Sequence, residues 1–140
     1  MTTAVEETLV LVKPDGVARS LTGEIVRRIE AKGYSLVDIR MLQADRELLA
    51  KHYAEHEGKP FYEPLVEFME SGPIVALRVA GNRVIEGFRS LAGATDPTTA
   101  APGTIRGDLA RDWGLKVQQN LVHGSDSPES AQRELALWFD

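Results

Sequence analysis

A short apolar run near the start of the chain dominates the sequence pattern. Residues 8–13 (T-L-V-L-V-K) are rich in β-branched and leucine side chains and stop at Pro14-Asp15-Gly16, which is typical of a buried strand that ends in a turn. Residues 73–79 predict another buried strand. Neither run is long enough to cross a bilayer. The pattern therefore favours a globular fold built on a sheet.

The other elements follow from capping residues and periodicity. Helices are predicted from a Thr22 N-cap to Gly33, from Asp45 through His56, over residues 60–69 and 82–91, and from the Ser127 N-cap through Trp138. Strands are predicted over residues 34–42 and 117–123, and a loop is predicted over residues 93–103. This order fits a four-stranded antiparallel sheet with helices on one face. We predict a single α+β domain over residues 1–140, of the ferredoxin-like sandwich class.

Composition and charge narrow the functional classes. The 140 residues are 43% hydrophobic and 26% charged, which is an ordinary globular balance. A net charge of -5 disfavours binding to nucleic acid, although a local group of cations can still bind a small anion. The first residues lack the basic flank and apolar stretch of a secretion signal, and cysteine is absent. We therefore expect a cytoplasmic protein without a membrane partner or disulfides.

One metal-binding pattern occurs at residues 52–56. His52-Tyr53-Ala54-Glu55-His56 has the H-x-x-E-H form in which two histidines lie on one helix face and bind zinc. The remaining histidine is His123, and peptidases of this type normally have much longer chains. A zinc hydrolase is thus one hypothesis, and the other is an exposed helix face or a segment that supports Tyr53.

A second group of polar residues surrounds His123. This histidine ends the strand predicted at residues 117–123, before a polar turn and a capped helix, where it can be exposed yet held. Lys13, Arg89 and Arg106 also lie at element ends, which can converge on one cleft. Each cation attracts a phosphate charge by about 4 kcal/mol at roughly 4 Å and an effective dielectric constant of about 20. Taken singly, each has a structural or surface interpretation.

Glycine-rich phosphate loops are absent from the sequence. Neither G-x-x-x-x-G-K-[ST] nor G-x-G-x-x-G occurs, and there is no G-x-S-x-G nucleophile elbow. A nucleotide, if bound, must therefore be held by side chains.

Five segments together resemble the nucleoside diphosphate kinase family. They are V-K-P-D-G-V at residues 12–17, H-Y-A-E-H-E-G-K-P-F at 52–61, S-G-P-I-V at 71–75, P-G-T-I-R-G-D at 102–108 and N-L-V-H-G-S-D-S at 120–127. They occur in the family's order, and the resemblance outweighs the zinc hypothesis. It implies a ferredoxin-like subunit that transfers the terminal phosphate of a nucleoside triphosphate to a nucleoside diphosphate by a ping-pong route.

The resemblance also implies roles for individual residues. His123 would be the nucleophile that forms a phosphohistidine, with Glu134 orienting its other ring nitrogen and Ser125 hydrogen-bonding nearby. Lys13 and Tyr53 would lie near the sugar 3′-hydroxyl and the transferred phosphate. The other implied nucleotide ligands are Arg89, Thr95 and Arg106 for the phosphates, Asn120 for the sugar, and Phe61, Leu65 and Val117 for the base. Core packing is the alternative for those last three, turn formation for Ser125, and an ordinary exposed helical position for Glu134.

A cofactor and partners are implied in the same way. Mg²⁺ would bridge the nucleotide phosphates with few protein ligands, and no residue is assigned to the metal. Base stacking leaves the base edges largely without specific contacts, so purine and pyrimidine nucleotides with ribose or deoxyribose are expected substrates. The protein would assemble with itself as a tetramer or hexamer. The rival hypothesis is a nucleotide-binding scaffold module without turnover.

One segment departs from the family pattern. Residues 109–119 (L-A-R-D-W-G-L-K-V-Q-Q) are longer than the usual spacing by about one helical turn. Trp113 and Arg111 could widen the base slot, make a subunit contact or form a surface bulge, and we favour the bulge. The assignment of Val117 depends on this segment.

Overall fold

The computed structural model describes residues 5–139, which surround one four-stranded antiparallel sheet. The strands are β1 (Glu6–Val12), β2 (Ser35–Leu42), β3 (Ile74–Gly81) and β4 (Val122–Gly124), in the order β2-β3-β1-β4. Strand β1 is central, so that Leu11 pairs with Ala76 on one side and His123 on the other. The predicted α+β class and ferredoxin-like arrangement are confirmed.

Helices connect these strands. They are α1 (Pro14–Ala18), α2 (Thr22–Lys32), α3 (Arg46–His52), a 3-10 turn (Ala54–His56), α4 (Tyr62–Glu70), α5 (Val84–Ala92), α6 (Ile105–Leu109) and α7 (Pro128–Phe139). Asp45 caps α3 by accepting from the Leu48 amide, and Ser127 caps α7 by accepting from the Ser130 amide. No helix within residues 5–139 has the length and apolar character needed to cross a membrane.

Helices cover both faces of the sheet, so the expectation of a single covered face is wrong. Along β1, Leu9 and Leu11 pack with α3, α4 and α7, whereas Val10 and Val12 pack with α2 and α5. All four side chains are fully buried. Because successive side chains of a strand point to opposite faces, a run that is apolar at every position needs cover on both sides. Each such side chain contributes about 2 kcal/mol by burial.

Several predicted boundaries differ from the structure. The strand expected over residues 117–123 forms only at β4, because Leu121 adopts a left-handed conformation with φ of 74° and its amide donates to Asp15 Oδ2 instead of to a neighbouring strand. The helix expected to run through His56 ends at His52, since Tyr53 leaves the helical conformation. Thr22 is the first residue of α2 and not its N-cap.

Candidate active site

A cavity of about 350 Å³ opens where the ends of several elements meet. It lies beyond the C-terminal end of β1, beside β4, and among α5, α6 and α7. Most of the predicted site residues line it: Lys13, Tyr53, Arg89, Thr95, Arg106, Asn120, His123 and Glu134. Segments that are more than a hundred residues apart in sequence therefore share one cleft.

His123 is the middle residue of β4, and its side chain is 21% exposed at the cavity. The ring Nε2 lies 2.8 Å from Glu134 Oε1, on α7. No residue in the described part of the chain hydrogen-bonds the other ring nitrogen, Nδ1. The histidine is thus held through one nitrogen while the second remains available for chemistry.

The negative charge of Glu134 determines which nitrogen of the His123 ring is protonated. Burial raises the pKa of this carboxyl, but the hydrogen bonds from His123 and Ser125 and the electrostatic effect of the adjacent imidazole rings lower it more, so the net pKa lies below its usual range. A carboxylate only accepts hydrogen bonds, which requires His123 to carry its proton on Nε2. In the neutral ring, Nδ1 then has a free lone pair.

Ser125 acts behind this pair and not in the cavity. It is fully buried, its Oγ donates to Glu134 Oε1 at 2.8 Å, and the same Oγ accepts from the Leu9 amide. The serine therefore connects the carboxylate to β1. Its expected position near the histidine is observed, but it reaches the histidine through Glu134.

Lys13 and Asn120 line the cavity as a hydrogen-bonded pair. Lys13 Nζ donates to Asn120 Oδ1 at 2.9 Å, and Asn120 Nδ2 donates to the Thr95 carbonyl at 2.9 Å. Burial, followed by the nearby charge of Arg106, lowers the pKa of Lys13 to about 8, against a smaller opposite effect of Asp15. The cation is therefore costly to hold in the free protein, and an anionic ligand would relieve that cost.

Two arginines line the cavity, and they differ in the protein contacts that their side chains make. Arg106 donates from Nε to the Asn120 carbonyl, from one terminal nitrogen to Gly93 and from the other to Val122. Burial, with the charge of Arg89, lowers its pKa to about 10. A guanidinium has five donors, so two remain after these three contacts. Arg89 is exposed, and its side chain makes no hydrogen bond or ion pair with residues 5–139.

Aromatic side chains extend from the cavity towards its outer edge. Tyr53 lines the cavity, and burial raises the pKa of its phenol, which therefore stays protonated and can donate. The rings of Tyr53 and His56 are 6.2 Å apart, and the His56 ring lies 5.2 Å from Phe61. Phe61 itself is 48% exposed and lies outside the cavity lining.

Two further predicted base contacts do not line the cavity. Leu65 is half-buried and packs against the core cluster beneath α3, α4 and α7. Val117 is half-buried in the irregular chain that follows α6. In the same segment, Trp113 is 46% exposed and is flanked by the guanidinium groups of Arg19 and Arg111. Trp113 does not line the cavity.

The zinc pattern at residues 52–56 does not form its expected geometry. Because α3 ends at His52, that residue and His56 do not lie four residues apart on one helix. His52 is 4% exposed, and its ring lies 4.8 Å from the His123 ring. From the sequence, His52 is predicted to have no role beside His123, and no local pattern places it there.

The donor atoms in the cavity allow a test of magnesium binding. Among residues 5–139, the group close enough to share an ion is His52, His123 and Glu134, whose donor atoms lie within 4.8 Å of one another. Mg²⁺ prefers an octahedral shell of oxygen atoms, including water, and two imidazoles with one carboxylate do not supply it. These residues do not fit a resident magnesium ion, and we assign none of them as a metal ligand.

Comparison with known proteins agrees with this geometry. Residues 6–140 match the nucleoside diphosphate kinase family. Nucleoside diphosphate kinases from Mycobacterium avium and Saccharopolyspora erythraea are 61% and 60% identical over 135 residues, 96% of each chain. A Halobacterium salinarum nucleoside diphosphate kinase structure in complex with CDP is 49% identical, with a TM-score of 0.91 over 98% of this chain and 89% of that one. The crystal structure of a nucleoside diphosphate kinase family protein from Babesia bovis is 42% identical, with a TM-score of 0.89 over 96% of this chain and 88% of that one. At this identity and coverage, the chain belongs to the nucleoside diphosphate kinase family.

Proposed function

We propose that His123 carries the phosphoryl group as this chain transfers the terminal phosphate of a nucleoside triphosphate to a nucleoside diphosphate. That overall reaction is the one its family performs, and a phosphohistidine intermediate is general in the family. The observation that carries the assignment is the pairing of His123 Nε2 with Glu134, which leaves Nδ1 free beside a cation-lined cavity.

Two displacements at Nδ1 account for the reaction. In the first, the Nδ1 lone pair forms a bond to the terminal phosphorus while the bond to the bridging oxygen breaks, and the diphosphate leaves. In the second, a terminal oxygen of the acceptor diphosphate attacks the phosphohistidine, and Nδ1 recovers its lone pair. The phosphorylated ring carries positive charge while Nε2 keeps its proton, so the Glu134 carboxylate stabilises it.

The cations act on the phosphoryl oxygens. We assign Arg89 and the two unused donors of Arg106 to the phosphates, with Lys13 at the transferred group and the sugar. In a loose transition state the charge is spread over these oxygens, and positioned cations stabilise it without reorganisation. Tyr53 and Thr95 line the same cavity and complete the polar wall, since the Tyr53 phenol stays protonated.

Sugar and base recognition follows from the outer part of the site. We assign Asn120 to the sugar hydroxyls and Phe61 to stacking on the base, with Leu65 and Val117 at the sides of the slot. The exposure of the Phe61 ring supports this role, because a face open to solvent is free to stack. Stacking reads no base edge, so we expect broad acceptance of purines, pyrimidines and both sugars.

Magnesium, assembly and location complete the proposal. Enzymes of this family need a divalent cation in general. We propose that it is Mg²⁺ and that it arrives bound to the nucleotide phosphates, as part of the substrate. We also propose a homo-oligomer, a tetramer or hexamer, to which the exposed apolar side chains of β2 (Val37, Ile39 and Met41) would contribute. The absence of cysteine is compatible with the proposed cytoplasmic location.

The experiment that tests this proposal follows the phosphoryl group. Incubation with magnesium and a triphosphate labelled on its terminal phosphate should leave an acid-labile, base-stable label on the protein. His123→Gln should abolish both the label and the exchange of phosphate between nucleotides, whereas the control His56→Gln should keep the label. Exchange at the wild-type rate by His123→Gln would overturn the proposal. Tight diphosphate binding by the wild type without any label would instead identify a scaffold.

A further inference from the structure

A buried histidine–tryptophan pair lies directly behind the proposed nucleophile. His52, the last residue of α3, is 4% exposed, and its Nδ1 accepts a hydrogen bond from Trp138 Nε1, on α7, at 3.1 Å. Trp138 is 3% exposed. The two residues are 86 positions apart in the chain, and none of the roles assigned above involves either of them.

The His52 ring is enclosed by aromatic rings and touches the nucleophile. Its centroid lies 4.8 Å from that of His123, with an interplanar angle of 73°. The Trp138 and Tyr53 rings stand edge-on to it, at 5.6 Å and 4.6 Å. Edge-to-face contacts of this kind favour a particular ring orientation. His52 therefore limits how far the His123 ring can turn about its side chain.

The hydrogen bond from Trp138 also selects one protonation state of His52. An indole nitrogen is a donor only, so the His52 Nδ1 that accepts from it must be unprotonated. A neutral ring then carries its proton on Nε2. A doubly protonated His52 would place two N–H groups against each other and lose this contact.

We propose that His52, buried and oriented by the hydrogen bond from Trp138, is a positioning residue that fixes the His123 ring and leaves the Glu134 charge to His123. This inference rests on the proposed role of His123 as the phosphorylated residue. A cationic His52 would share the Glu134 carboxylate and would repel the positive ring of the phosphohistidine. Its neutrality therefore favours both the free nucleophile and the intermediate.

Several titratable groups face His52 from the elements packed around it. Burial, the charges of His123, Arg133 and Lys13, and an opposing effect of Glu134 together lower the pKa of His52 to about 3. Tyr53 adjoins the ring but stays protonated, because burial raises its pKa. The surroundings and the hydrogen bond thus act in the same direction.

The variant Trp138→Phe removes the donor while it keeps an aromatic ring in the core. Burial and the neighbouring charges still keep the His52 ring neutral, but the hydrogen bond that orients the ring is lost. We expect the single-turnover rate of protein phosphorylation to fall about fourfold, with nucleotide KM unchanged. The double variant His52→Asn/Trp138→Phe should be no slower than His52→Asn alone, because Trp138 acts through His52.

A matched control separates positioning from a loss of core packing. Leu135→Val shortens another core side chain of α7 that lies in the same cluster as Trp138. It should destabilise the protein in urea while leaving the single-turnover rate of protein phosphorylation unchanged. Proton NMR gives a direct readout: the contact between the His52 and His123 rings should give a nuclear Overhauser effect in the wild type, and this effect should weaken in Trp138→Phe.

Failure of this inference can be distinguished from failure of the proposed function. If His123→Gln still becomes labelled, the role of His123 is wrong. If the label is on His123 but Trp138→Phe keeps the wild-type single-turnover rate, the positioning role of His52 is wrong. Should Trp138→Phe fail to fold, His52→Asn decides: kcat should fall with nucleotide KM unchanged, and a raised KM with unchanged kcat would overturn the inference.

Discussion

The two ends of the proposed nucleotide site are held in different ways. At the inner end, His123 is tied to Glu134, and Ser125 ties that carboxylate to β1. At the outer end, Phe61 is 48% exposed, lies outside the cavity lining and meets the His56 ring. The inner end is thus preorganised by side chains from separate elements, and the outer end is not.

This difference matches the separate demands of chemistry and recognition. Transfer to a ring nitrogen needs a fixed lone pair, because small misplacements of reacting groups cost large factors in rate. Acceptance of many bases needs a stacking surface that makes no specific hydrogen bonds. Variants at the inner end should therefore change kcat strongly, and variants at the outer end should change KM weakly.

Glu134→Gln should have the largest effect. The amide can still accept from His123 Nε2, but it lacks the charge that stabilises the phosphorylated ring. We expect the rate of protein phosphorylation to fall about 100-fold, which corresponds to about 3 kcal/mol. Stopped-flow or quench measurements with labelled triphosphate check this. Glu129→Gln, an exposed residue of the same helix, is the control, and an equal loss in both variants would contradict the role of Glu134.

Replacing each cavity arginine by lysine tests whether Arg106, whose guanidinium is hydrogen-bonded to the backbone, contributes differently from Arg89, whose guanidinium makes no such bond within residues 5–139. Arg106→Lys keeps the charge but cannot donate to three backbone carbonyls at once, so we expect kcat to fall about 20-fold. Arg89→Lys loses no protein contact and should cost about threefold. Steady-state kinetics and thermal unfolding measure both. Equal effects of the two substitutions would show that the backbone contacts of Arg106 do not matter.

The sequence predicted elements where the signals were local. The caps at Asp45 and Ser127 and the left-handed Gly33 lie next to the helices that they begin or end, and the structure confirms them. The strand expected over residues 117–123 failed for a nonlocal reason. Leu121 donates to Asp15, more than a hundred residues away, and its carbonyl accepts from the Lys13 amide. No periodicity within the segment could reveal those partners.

Prediction of the candidate site shows the same difference between local and nonlocal signals. The segments that resemble the family supplied residues which the structure brings together in one cavity. Periodicity alone did not place them there, because convergence of strand and helix ends depends on the whole topology. The contact between His52 and Trp138 was not anticipated, since neither residue forms a recognisable motif with the other.

The dependence of activity on pH above 8 tests the role of Lys13 in the cavity. The free protein holds Lys13 with a pKa lowered to about 8, so this cation is present below pH 8 and is lost as the pH rises through it. We expect kcat/KM to fall several-fold between about pH 8 and pH 9.5. Lys13→Gln should be slow at every pH and lack this fall. Lys32→Gln, an exposed lysine on α2, should keep it, and a fall that survives in Lys13→Gln would assign it to another group.

The outer end should give the smallest effect. Phe61→Leu removes a stacking face but leaves the inner contacts intact, so we expect KM for diphosphates to rise about fivefold, with kcat within about twofold of the wild type. The rise should be greater for purines, which stack over a larger area. Phe68→Leu, a substitution on α4 outside the cavity lining, is the control and should leave KM unchanged. A large loss of kcat in Phe61→Leu would contradict the separation of the two ends, because it would place a side chain without hydrogen-bonding groups in the preorganised half of the site.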